Sequence, residues 1–162
     1  MEDSIRKNFK ILKCVALIFQ AYTLTNANVT KQIVENNVGA LKIKININAE
    51  TESDLYPTRL LIGLPSTNLP KVDIQYYKKA KLPFNSEHSI PKSYHWSNQQ
   101  RLKGLETATL NIYPLISSNE YYQTIIVKVM FNKGNLEYTK SENEVGKFLK
   151  ERVINWKIAQ NW

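Results

Sequence analysis

The side chains able to do chemistry are few and scattered. His88 and His95 stand seven positions apart, with Glu87 beside the first. A structural zinc site usually needs four ligands, so this pair reads as two loop histidines and no metal is expected. A Ser-His-Asp hydrolase would have Asp54 or Asp73 available as the acid. It would also need a nucleophile on a sharp strand-to-helix turn, and Gly63-Leu64-Pro65-Ser66 does not match that pattern. Glu50, Glu52 and Asp54 alternate within a turn-rich stretch and read as a solvated acidic edge, not as a glycosidase pair. The five glycines are dispersed, so no loop is built to cradle a phosphate. No catalytic residue and no cofactor are expected.

The lone cysteine, Cys14, lies in a segment with the three-part layout of a signal peptide. Arg6, Lys7, Lys10 and Lys13 form a basic start, Cys14 to Leu24 is apolar, and Thr25-Asn26-Ala27 supplies small residues for cleavage. The alternative for residues 1–27 is a buried N-terminal helix. The apolar run is shorter than the ~20 residues of an ordinary membrane span. Cleavage after Ala27 would leave residues 28–162 without a thiol, exported to the periplasm, cell surface or medium, with no stable membrane span. Such a chain is held by its core alone and cannot be a thiol peptidase. At 162 residues, 43% hydrophobic and 22% charged, the composition is that of one ordinary globular domain.

The elements are mostly strands. Leu41, Ile43, Ile45 and Ile47 alternate with Lys42, Lys44, Asn46 and Asn48, giving one dry face and one wet face. Arg59 to Leu64 is a continuous apolar run ended by Pro65, as in a strand buried on both sides or lying at a bend, and Gly63 suggests a bulge there. Val72 to Tyr76 alternates again. Gly104 to Phe131 reads as two strands and a turn, with Pro114 at a strand end. Asn28 to Asn37 reads as an arm or edge segment. Leu82 to Asn98 is rich in Ser and Pro and reads as a loop. Ser141 with Glu144 has capping-box spacing and opens a helix over about 142–158. The expected fold is a mostly β antiparallel sandwich with one C-terminal helix.

The basic surplus raises nucleic-acid binding, with Tyr76 and Tyr77 beside Lys78, Lys79 and Lys81. An exported chain rarely meets nucleic acid, and lysines also protect a strand edge from unwanted pairing. No nucleic-acid partner is expected. Lys79, Lys81, Tyr94, Trp96 and Arg101 are the candidate partner-contact residues, by charge, aromatic character and expected loop position.

The order of the strand motifs resembles a known family. Arg59-Leu60-Leu61-Ile62-Gly63-Leu64-Pro65 is followed by Arg101-Leu102-Lys103-Gly104-Leu105. Then come Ala108 to Leu115, closing on Tyr113-Pro114, and Val127-Lys128-Val129-Met130-Phe131. This order is similar to the N-terminal propeptide region of gingipain-type cysteine peptidases and the related type IX secretion sortases. Asn155-Trp156 also resembles the linker into their peptidase domain. The resemblance spans roughly Leu41 to Trp162. It implies a non-catalytic, exported β-sandwich that assists folding of a cysteine peptidase and blocks its active site until export or maturation. The partner would be a peptidase domain, in cis or in trans. No peptidase domain follows in this sequence, so the chain is expected to be the front of a longer product or a stand-alone remnant. The other reading is a secreted ligand-binding or adhesion module for a glycan or protein, using Tyr94 and Trp96.

Overall fold

Leu41, Ile43 and Ile45 are fully buried while the lysines between them face water, so the alternation of this strand carries straight into three dimensions. The computed structural model describes residues 28–87, 93–102, 104–132 and 144–162. The signal-like segment, His88 and the Ser141 cap lie outside the described residues.

Among the described residues, eight strands form two antiparallel sheets. They are β1 (Val29–Asn36), β2 (Ala40–Ile47), β3 (Thr58–Leu64), β4 (Lys71–Lys81), β5 (Tyr94–Leu102), β6 (Leu105–Ile112), β7 (Leu115–Ser117) and β8 (Glu120–Met130). The larger sheet runs β1-β2-β8-β4, with the short β7 also paired to β8; the smaller runs β3-β6-β5. The inner faces meet in one core. Leu41, Ile43, Ile45, Ile125, Val127 and Val129 come from the larger sheet, and Leu60, Ile62, Ala108, Leu110 and Ile112 from the smaller. Each large aliphatic so buried contributes on the order of 1.5–3 kcal/mol relative to exposure. Tyr121 is buried among them, and its hydroxyl accepts the Ala49 N–H at 3.1 Å.

The outer face of the larger sheet is charged. Register places Glu35 opposite Lys42, Lys42 opposite Lys128, and Lys128 opposite Asp73. The two central lysines, which would repel alone, are thus flanked by carboxylates in neighbouring strands.

The stretch Gly104 to Phe131 is strands and turns, but its two long strands do not pair. β6 belongs to the smaller sheet and β8 to the larger. The chain crosses between sheets at Tyr113-Pro114, where proline ends the ladder.

The four sheet edges are handled differently. β4 is an edge carrying Lys78, Lys79 and Lys81, and Lys78 has a positive φ of 49° that drops it from the register. That fits the protective reading of the lysine cluster. β5 bulges between Ser97 and Gln100, with Asn98 at φ 50°. Asparagine tolerates this left-handed conformation better than most residues. β3 is covered by the C-terminal segment. β1, expected as an arm or edge segment, is an edge strand with Ile33 and Val34 exposed.

The single C-terminal helix expected over 142–158 is two short ones, α1 (Glu144–Arg152) and α2 (Trp156–Ala159). The break is caused by the edge of β3. Ile154 N–H donates to Leu61 O at 2.9 Å, and the Asn155 side chain takes both backbone groups of Gly63. Those residues cannot continue a helix while pairing with a strand. Leu149, Val153 and Ala159 pack with Leu105, Leu61 and Leu102 in a second cluster on the far side of the smaller sheet. The run from Leu60 to Leu64 is therefore covered on both faces, the first of the two readings its composition allows. Gly63 makes no bulge: it stays in register opposite Thr107. A Cβ there would sit 2.6 Å from the Ala159 Cβ, so glycine serves close approach of α2.

Candidate functional site

Two open clefts lie along the mouth of the sandwich where β1 faces β3, and both are lined by Lys31 and Arg59. Lys31 comes from the β1 edge, and its ammonium donates to the backbone oxygen of Arg59 at 3.4 Å, linking the edges of the two sheets. Crowding by protein lowers the pKa of this ammonium, through the cost of burying its charge.

The first cleft, of about 640 Å³, is bounded by Asn28, Asp54 and Tyr56. Its acid is fully engaged in local structure. Asp54 sits in a 3₁₀ turn (Glu52–Leu55) and accepts the N–H groups of Glu50 and Thr51 at 3.0 and 2.8 Å, and the Thr51 hydroxyl at 2.9 Å. Asn28 Nδ2 reaches both its oxygens at 3.2 Å and so ties the start of β1 to the turn. Burial pushes the carboxyl up, but these donors outweigh it and hold the group below the usual carboxylate range. Asp54 is thus an organiser of the turn.

The second cleft, of about 600 Å³, runs over the outer side of the smaller sheet toward α1. Arg59, Lys31 and Arg152 line it together with the β5 bulge at Asn98 to Gln100. Arg152 lies over the half-exposed Phe148 ring at 5.6 Å, and Glu151 is the acidic member of the lining. This arrangement can attract and hold an anion. It presents no nucleophile beside a base.

A separate polar group stands further along the same outer face. The Tyr113 hydroxyl is 2.9 Å from His95 Nδ1, and the two rings stack with centroids 5.6 Å apart. Asn111, buried, reaches Ser97 Oγ at 2.8 Å and His95 Nε2 at 3.4 Å through Nδ2. Ser97 is bonded to Asn111 and not to the imidazole, so the nucleophile–base contact of acyl transfer is not made. Asp73 lies on the outer face of the opposite sheet, paired with Lys128.

The five candidate contact residues sit on strands, not on the loop expected for them. Lys79 and Lys81 end β4; Tyr94, Trp96 and Arg101 lie along β5. Serine and proline mark the loop only as far as Ser93, and the β-favouring Tyr94-His95-Trp96 starts the strand. Tyr94 and Trp96 pack against the main core and are partly buried. Lys79 lies 6.0 Å from the Tyr122 ring, which stacks on Tyr76 at 4.3 Å. Burial pushes the Tyr76 phenol up, and its hydroxyl reaches Ser93 O at 3.5 Å, just before Tyr94. The β4 end and the start of β5 therefore meet, while Arg101 lies at the other end of β5, with Nε donating to Gly104 O at 3.2 Å. The candidate set misses Lys31, Arg59 and Arg152. They are distant in sequence, and only the approach of β1, β3 and α1 joins them.

Among the described residues no group of three or more His, Cys, Asp and Glu is placed to hold a metal ion. No helix among them is long and apolar enough to cross a membrane.

No protein-family profile matches the chain, and no curated protein does. A solved structure of similar architecture is the complex of Porphyromonas gingivalis RgpB pro- and mature domains. Identity is 12% and the TM-score 0.48, over 82% of this chain and 99% of that one. The likeness is of fold alone.

Proposed function

We propose that this chain is a non-catalytic, propeptide-like domain for an exported gingipain-type cysteine peptidase. It binds the peptidase as a preformed body, assists its folding and covers its active site until export or maturation. The observation that carries the reading is positional. The motifs behind the family resemblance fall in order onto β3, the β5–β6 hairpin, the β6–β7 crossing and β8. The linker-like Asn155-Trp156 docks back onto the first of them at Gly63. The separate motifs thus form one packed unit. A rigid sheet loses little conformational entropy on docking, which suits inhibition by shape. The half-buried placement of Tyr94 and Trp96 leaves less ring surface for stacking on sugars, so the glycan-binding reading gains no support from geometry.

The test is a titration of a mature gingipain-type cysteine peptidase with the purified chain, read by hydrolysis of a small fluorogenic peptide. Stoichiometric loss of activity is the expected result. Undiminished turnover at a large excess of the chain, with no gain in peptidase refolding yield, would remove the reading.

A further inference from the structure

We propose that the cleft between β3, the β5 bulge and α1 is a binding groove for an acidic, extended segment of a partner protein. Three cations from three elements converge on it: Lys31 from β1, Arg59 from β3 and Arg152 from α1, with Glu151 as the opposing charge. Burial costs the Lys31 ammonium part of its hydration, so a ligand carboxylate beside it would offset that cost. The two guanidiniums suit planar carboxylates, which they can grip through paired N–H donors. Beside them β1 is an edge strand among the described residues, and Ile33 and Val34 stand exposed on it. An extended chain passing here meets the edge strand β1, two aliphatic side chains and then the cationic groove. Such strand addition draws affinity from the main chain and specificity from the side-chain pockets.

A nucleic-acid strand fits less well. It needs a longer cationic track and flat rings for its bases. Here Glu151 interrupts the charge, and the Phe148 ring is already faced by Arg152. The inference does not rest on the peptidase reading: this groove can fail while peptidase inhibition stands, and the reverse.

The experiment is fluorescence anisotropy of the purified chain with a short labelled peptide alternating glutamate and serine. The same peptide with glutamine for glutamate, and an oligothymidylate, serve as comparisons. The glutamate peptide is expected to bind, more weakly as salt rises toward about 0.15 M, and the glutamine peptide to bind at least about tenfold less tightly. Arg59→Gln and Arg152→Gln should each weaken binding about tenfold, the scale of one lost charge-assisted hydrogen bond. Lys71→Gln, on β4 at the other edge of the larger sheet, should leave it unchanged. Circular dichroism confirms folding; if Arg59→Gln is unfolded, Arg152→Gln, exposed on α1, decides. Equal binding of the two peptides, no binding of either, indifference to both arginine variants, or tighter binding of the oligothymidylate each overturns the proposal.

Discussion

Asn155 and Gly63 hold each other by two hydrogen bonds across 92 positions of chain. The Gly63 N–H donates to Asn155 Oδ1 at 2.8 Å, and Asn155 Nδ2 donates to Gly63 O at 3.0 Å. The carboxamide thus stands in for a neighbouring strand and completes the β3 edge. It also fixes α1 and α2 on the smaller sheet, since Ile154 N–H pairs with Leu61 O one step away.

Asn155→Ala is expected to cost on the order of 2–4 kcal/mol, because it strands two buried backbone groups at once. Asn155→Asp should be at least as costly near neutral pH, since a buried carboxylate cannot donate to Gly63 O. Urea unfolding checks the loss. Amide exchange should quicken at Gly63 before it does in β2 or β8.

Gly63→Ala is expected to cost about 1–3 kcal/mol through the clash with Ala159. Ala159→Gly opens that space at the price of about 1 kcal/mol of helix propensity. The double variant should therefore be more stable than the sum of the singles predicts, by about 0.5–3 kcal/mol. Strict additivity would show that the glycine serves something other than close packing.

The stability conferred by Asp54 should depend on acid pH. Its folded carboxyl titrates below the ordinary value of 3.8, so its stabilisation is complete above that value and fades as pH falls through the folded one. Asp54→Asn should cost about 1 kcal/mol near neutral pH, as for the loss of a capping group. The gap between wild type and variant, measured by urea unfolding at each pH, should close in acid below 3.8.

Lys31 is expected to show the same sign of pH dependence in an alkaline window. Its folded pKa is lowered, so between that value and 10.5 the unfolded chain binds more protons and stability rises with pH. Relative to Lys31→Met, the wild type should gain stability as pH climbs through this window. Near neutral pH the two should lie within about 0.5 kcal/mol of each other. Thermal unfolding of both proteins across alkaline pH checks the sign.

The strands were the legible part of this sequence, and the reason is local. In Leu41 to Ile47 every second residue is aliphatic, so one face must be dry whatever the partner sheet is. The same holds for Ile125 to Phe131. What local pattern does not carry is which sheet a strand joins: β6 and β8 read as a pair, yet Pro114 sends the chain from one layer to the other. The helix break at Asn155 is hidden for a similar reason. Its cause is the edge of β3, 92 residues away. Trp96 lies beside serines and histidines that imitate a loop, and only its packing against the core reveals a strand. The cationic cleft is invisible for the same cause, since Lys31, Arg59 and Arg152 share no spacing. The contacts of His95 with Tyr113 and Asn111 are likewise set by strand pairing and not by any local spacing.

The proposed function requires a preformed body that would bind a peptidase without changing its own interior. Hydrogen exchange of the chain, alone and mixed with equimolar gingipain-type peptidase, tests this most directly. The predicted result is new protection confined to surface segments, with the buried amides of β2, β6 and β8 exchanging at unchanged rates. Identical exchange everywhere, or a core that becomes protected only on mixing, would contradict it.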